Sequence, residues 1–301
     1  MIDLVDVQAE KPRVSIPITS VGLKGITYPV RVSRDSREVD LLTRIDIYVD
    51  LPADRKGADF SRKIEAINEI ILENGTVPSI EDLSLRIAEK VLQKLPYSTE
   101  CKVSVSAEYM REKKSKNGSS RIIVPYKLEG ESVLLRNGEY HKMVGVNVTG
   151  LNACPCAMET TRALISKDFP GNEEILNRIP SITHNQRNHV RLMMQAPSGR
   201  NIEADDLIAI CENVLGGSLH SLLKRIDEGE LVYNAHKNPK FVEDIVRDIA
   251  AEVLLKYSDF PDGARVIISS ESEESIHPHN AYAEINSTLG ELRSSVPKLD
   301  H

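Results

Sequence analysis

Tryptophan is absent from the 301 residues, and phenylalanine and tyrosine contribute only 4 and 9. Aliphatic side chains must therefore fill the core, and stacking platforms of the kind that hold single-stranded nucleic acid are disfavoured. No window approaches ~18 consecutive apolar residues, the length a membrane-spanning helix needs. Met1-Ile2-Asp3 opens without a basic and then apolar leader, so a soluble, cytoplasmic protein is expected. No long Lys/Arg block stands apart from a balance of 38 cationic against 45 acidic residues, a formal charge of −7. That excludes a general nucleic-acid binder as the first expectation. Cysteine is scarce and irregularly placed, at Cys101, Cys154, Cys156 and Cys211, which does not make a disulfide framework.

What is present is globular: 41% hydrophobic and 28% charged residues, in a chain long enough for roughly two domains. Val14, Ile16 and Ile18 alternate with polar neighbours, as do Ile45, Ile47 and Val49, which predicts half-buried strands. Phe60, Ile64, Ile67 and Ile71 fall on one helix face that Asn74-Gly75 closes. A second helix starts at Ser79 as N-cap and carries Leu83, Ile87 and Val91. Strands resume with Val103, Val105, Ala107 and Tyr109, and with Arg121 to Tyr126. Between them the cationic stretch Arg111 to Lys116 ends at Asn117-Gly118, a hairpin-turn signal.

The same order returns in the second half. Val144, Val146 and Val148 alternate, then Val190, Leu192, Met194 and Ala196; Leu207, Ile210 and Val214 mark a third helix. A fourth is expected to open with Asn238 as N-cap and Pro239 at its first position, burying Phe241, Ile245, Ile249 and Val253. Strands follow at Ala264 to Ser269 and Ala281 to Ile285. Two strands, two helices and two strands, used twice, predict an α+β fold built by tandem duplication, with boundaries at 1–137 and 138–301 and helices on one face of each antiparallel sheet.

The repeat is interrupted by about 35 residues, Asn152 to Gln186, an insertion read as a functional loop. It begins with Asn152-Ala153-Cys154-Pro155-Cys156. A buried cysteine is usually inert, but a pair in a turn is less easily explained by packing. Downstream stand His184, at a strand entrance, and His189 within that strand, the latter read as an ordinary surface or core residue. In Glu274-Ser275-Ile276-His277-Pro278-His279, residues two apart on extended chain point to one side, so the two imidazoles converge. Cysteine, histidine and glutamate together suit a borderline divalent metal. Asp227-Glu228, expected to end the third helical region, and Glu243-Asp244, at the start of the fourth helix, read equally well as acids placed to suit helix ends.

At Asn-Ala-Cys154-Pro-Cys156, His184-Asn-Gln-Arg, Asn238-Pro-Lys-Phe-Val-Glu243-Asp and Glu274-Ser-Ile-His277-Pro-His279, the chain resembles the GTP cyclohydrolase IB family, and most closely its archaeal branch. The resemblance implies a tunnelling fold of β2α2β2 units, with subunits joined into oligomeric barrels, as dimer or tetramer, and active sites at their interfaces. It implies hydrolytic opening of the guanine imidazole ring of GTP at C8, loss of formate and closure to 7,8-dihydroneopterin 2′,3′-cyclic phosphate, which feeds tetrahydromethanopterin synthesis. Relatives elsewhere release the triphosphate. One iron(II) per subunit is implied, with manganese or zinc as other occupants, held by Cys154, His184 and Glu228. His277 and His279 become proton carriers, Glu274 an orienting group or base, and Glu243 the anchor for guanine N1 and N2. Arg162, Arg187 and Arg225, with Lys224, are the cations expected beside the triphosphate. Two other readings stay open: a reductase of the same fold with a cysteine nucleophile, and a non-catalytic purine- or metal-binding scaffold.

Overall fold

The computed structural model describes residues 6–34, 37–114, 121–216 and 219–295. Eight strands are hydrogen-bonded in sequence order: β1 (Ile18–Arg34), β2 (Arg37–Leu51), β3 (Glu100–Lys114), β4 (Arg121–Leu135), β5 (Tyr140–Ala153), β6 (Asn185–Gln195), β7 (Arg265–Ser272) and β8 (Ala281–Thr288). The pairs β1-β2, β2-β3, β6-β7 and β7-β8 are antiparallel. Helices α1 (Phe60–Asn74) and α2 (Ile80–Lys94) follow β2. Helices α3 (Pro155–Asp168) and α4 (Glu173–Arg178) lie between β5 and β6, and α5 (Ala204–Val214), α6 (Arg225–Lys237) and α7 (Val242–Lys256) between β6 and β7; α8 (Leu289–Ser295) follows β8. None of the described helices is long and apolar enough to cross a membrane.

The chain divides into two compact units, one formed by the residues up to Glu108 with Leu128–Val144, the other by Tyr109–Lys127 with the residues from Gly145 on. In the first, β2 alternates strictly, burying Leu41, Ile45, Ile47, Val49 and Leu51 against solvent-side partners, as a sheet with one covered face requires. Ser79 caps α2 through Asp82 N–H, and Leu83, Ile87 and Val91 are fully buried. The far end of α2 is closed by Arg136, whose guanidinium donates to the carbonyls of Leu92, Leu95 and Ser98. Gly75, at φ 63°, ends α1, a left-handed position that favours glycine.

In the second unit, β6 buries Val190, Leu192 and Met194, while α5 and α7 bury Leu207, Ile210, Ile245, Ile249 and Val253. The two-strand, two-helix, two-strand order is therefore found in both halves, with α3, α4, α6 and α8 as additions to the second. Several details differ from the sequence reading. Val14 and Ile16 precede β1 and are exposed, because alternation alone does not distinguish a strand from extended chain. The insertion is largely helical; its helices escape detection because α3 buries only Met158 and α4 buries nothing, leaving no apolar stripe. Lys224 to Glu228 opens α6 instead of ending a helix, and Asn238 terminates α6, its N–H donating to Asn234 O. The N-cap of α7 is Phe241, exposed, with its N–H held by the Asp244 carboxylate. The expected Asn117-Gly118 turn and Lys116 lie outside the described residues.

Candidate active site

The insertion and the segment after β7 meet around Cys154. Pro155 occupies the first position of α3, where its missing N–H costs nothing, and this makes Cys154 the N-cap. Its Sγ accepts from Ala157 N–H at 3.5 Å. Cys154 N–H donates to His184 O at 3.1 Å, and the Thr183 hydroxyl donates to Cys154 O at 2.7 Å. These bonds tie the thiol-bearing turn to the entrance of β6. Cys156, one residue into the helix, is exposed.

Gln186 stands at the centre of this group and is only 7% exposed. Its Oε1 lies 2.9 Å from His184 Nδ1, and its Nε2 donates to Glu274 Oε1 at 3.3 Å. The second oxygen of Glu274 lies 3.7 Å from His184 Nδ1. With the proton on Nδ1, His184 bonds Gln186 and leaves its Nε2 lone pair to a further partner. The segment after β7 is fixed at its root, where Glu273 N–H donates to Arg187 O. Its two imidazoles converge as the spacing predicts: His277 and His279 stack at 5.2 Å with planes 12° apart, and His277 meets His184 edge-on at 6.4 Å.

A cavity of about 340 Å³ opens beside this cluster, and its walls include Cys154, Gln186, Glu243, Ser272 and Glu274. Glu243, in the first turn of α7, is exposed into solvent and is thereby free to take hydrogen-bond donors with both oxygens. The structure thus gathers Cys154, His184, Glu243, Glu274, His277 and His279. It does not bring Glu228 there: Glu228 and Arg225 line a separate hollow of about 680 Å³ with Ile182, Val232, Tyr233 and His236. Arg162 binds within the insertion, to Leu176 O at 3.2 Å and to Glu159. Arg187 and Arg225 are exposed. His189 is held by Thr149 at 3.0 Å and Glu273 at 2.8 Å, a surface arrangement that matches its reading as an ordinary residue. Sequence reasoning gave no role to Gln186 or Ser272, since polar residues in β-strands carry no distinctive spacing.

By chemistry, a thiol and an imidazole suit a borderline divalent metal. Placement meets that test in part: Cys154 and His184 are joined through their backbones, while among the described residues no three Cys, His, Asp or Glu side chains converge closely enough to enclose an ion. The other two thiols take no part. Cys101 and Cys211 are fully buried, and burial pushes the Cys101 thiol up to about 12 and raises that of Cys211 as well.

Comparison with known proteins places the chain in a family. The family model described as type I GTP cyclohydrolase folE2 matches residues 4–283. A GTP cyclohydrolase MptA of Thermoplasma acidophilum is 44% identical over 293 residues, 97% of this chain and 98% of that protein. One from Methanococcus aeolicus is 38% identical over 306 residues, 97% and 99% of the two chains. Among solved structures, the uricase of Arthrobacter globiformis is similar with a TM-score of 0.51 at 7% identity, over 90% of this chain and 93% of that one. A thermostable uricase mutant gives 0.52 at 9% identity, over 94% of each. At such identities the likeness concerns the fold, an antiparallel eight-stranded sheet with helices in the α+β tunnelling class.

Proposed function

The chain belongs to the type I GTP cyclohydrolase family, matched from residue 4 to residue 283, and from that membership we propose that it opens the guanine imidazole ring of GTP. Water adds at C8, that carbon leaves as formate, and the remainder closes to a dihydropterin. The observation that carries this reading is the single cavity in which Cys154, Glu243 and Glu274 stand together, with the stacked pair His277 and His279 on the segment leading from Glu274. Glu243 accepts from guanine N1–H and N2–H, which fixes the base by its edge. His277 and His279, whose ring nitrogens can each give or accept a proton, deliver a proton to N7 as the C8–N bond breaks and take one up as formate departs. Glu274, itself held by Gln186, orients the histidines.

Iron(II), one per subunit, is the proposed metal, with manganese or zinc as alternatives; Cys154 and His184 would hold it, while Glu228, expected as the third ligand, lines the other hollow. When bound, such an ion supplies hydroxide near neutral pH by lowering the pKa of water. Arg187 and Arg225, with Arg162 if it leaves Glu159, would meet the triphosphate. The product is proposed to be 7,8-dihydroneopterin 2′,3′-cyclic phosphate, formed as a ribose hydroxyl displaces diphosphate from the triphosphate chain, for methanopterin synthesis, as the MptA name of the relatives suggests; the cytoplasm is its proposed location. Assembly into a homo-oligomer with interfacial active sites is also proposed. Among the described residues β1 and β8 have a neighbour on one side only, and such edges invite extension by another chain.

Mass analysis of the product from anaerobic, iron(II)-loaded protein and GTP tests the reading. Release of formate with a cyclic phosphate is expected. A triphosphate product would reassign the branch, and unchanged GTP with iron, manganese and zinc would overturn the proposal.

A further inference from the structure

Ser272 ends β7 and lines the cavity that holds Glu243 and Glu274. It is 1% exposed, and its hydroxyl has no hydrogen-bond partner among the described residues. A buried hydroxyl left without a partner costs stability, roughly 1–3 kcal/mol, and is rarely retained without a use.

The residues around it indicate which way its hydrogen points. Asn188 is paired with Ser272 across the β6-β7 register. Its Oδ1 accepts from the Ser270 hydroxyl at 2.9 Å, while its Nδ2 also lacks a partner among the described residues. The Asn188 amide can therefore donate to Ser272 Oγ, which leaves the Ser272 O–H as a donor towards the cavity after one rotation about χ1. Of the other wall residues, those that carry N–H or O–H donors are engaged. Asn152 donates to Lys240 O and accepts from Ala153 N–H; Lys240 donates to Val214 O and pairs with Asp248. Gln186 is held between His184 and Glu274, and the Tyr282 hydroxyl donates to Glu284.

We propose that Ser272 is a specificity-determining residue whose hydroxyl donates to the 6-oxo group of the purine. This rests on the GTP cyclohydrolase reading. Once Glu243 accepts from N1–H and N2–H, the next atom along the same edge of guanine is O6, an acceptor that needs a donor, and the other donors of the wall, on Asn152, Gln186 and Lys240, already bond within the protein. Ser272 supplies the missing donor and thereby distinguishes a 6-oxo purine from one with a poor acceptor at that position.

The test compares GTP with 6-thioguanosine triphosphate, which keeps N1–H and N2–H but offers a weak acceptor at position 6, in wild type and in Ser272→Ala, following formate release. Wild type is expected to favour GTP in kcat/KM by roughly tenfold, the equivalent of one ordinary hydrogen bond. In Ser272→Ala, GTP falls to the level of the thio analogue and the analogue changes less than about twofold. Ser272→Cys, nearly isosteric with a weak donor, falls between. Parallel loss for both nucleotides, unchanged discrimination, or a wild type that does not discriminate would overturn the assignment. Failure of wild type to release formate from GTP would instead count against the underlying reading.

Discussion

The Gln186 amide donates to the Glu274 carboxylate at 3.3 Å, so one buried side chain from β6 fixes an acid on the segment following β7. Its other end bonds His184 at 2.9 Å, and both groups lose their support if the amide is removed. Gln186→Leu is expected to lower kcat about 10- to 100-fold, the usual effect of removing a residue that orients a ligand, while KM for GTP moves less than about threefold. Steady-state formate release decides this; an unchanged kcat, or a loss confined to KM, would show that Gln186 only packs.

The two cysteines of the Cys-Pro-Cys turn should behave differently. Cys154 is the N-cap facing the cavity and bonded to the His184 backbone, whereas Cys156 is exposed. Cys154→Ala is expected to lose at least about 10²-fold in turnover, as removal of a metal-activating group would, and to hold substoichiometric iron by elemental analysis. Cys156→Ala should keep activity within about twofold and bind a full equivalent. Equal losses in the two variants would contradict the separation.

Glu243 stands in the first turn of α7 with its carboxylate exposed. In Glu243→Gln, one acceptor oxygen becomes an NH2 donor facing another donor on the guanine edge. A loss on the order of 10² in kcat/KM for GTP is expected, since a site built to accept hydrogen bonds penalises a mismatched pair. Far-ultraviolet circular dichroism and Tm should stay unchanged, because the side chain is exposed.

Much of this arrangement was legible in the sequence where apolar periodicity is strong. Ile45, Ile47 and Val49, and Leu83, Ile87 and Val91, are buried as their spacing predicts. The convergence of His277 and His279 followed from residues two apart on extended chain. Where periodicity is weak the reading failed. Helices α3 and α6 present almost no apolar face, with one buried residue in α3 and only Asp227 and Ala235 in α6, so by pattern the first reads as loop and the second merges with its neighbour. The link from Gln186 to Glu274 was illegible for another reason: it joins positions 88 residues apart, and only strand pairing brings such positions together.

Lys63 lies in α1, wholly buried at 0% exposure, with its ammonium donating to Ala58 O at 2.5 Å. Burial pulls its pKa from 10.5 to about 8, while nearby Cys101 and Asp59 oppose the shift. Between about pH 8 and 10.5 the unfolded chain keeps a proton on Lys63 that the folded chain has released, so stability from this group rises with pH through that window, by at most about 1.4 kcal/mol per unit. Below pH 8 the folded protein must bury the charge, and the contribution stays at its least favourable. Above about pH 9 the raised thiols of Cys101 and Cys211 act in the opposite sense, since unfolding lets them ionise. The clearest measurement is therefore a difference: urea unfolding of wild type and Lys63→Met at pH 7.0 and pH 8.8. Lys63→Met should be the more stable form at pH 7.0, and its advantage should shrink by pH 8.8. An advantage that does not change with pH would mean that Lys63 has the same affinity for its proton folded and unfolded, and that its burial costs packing alone.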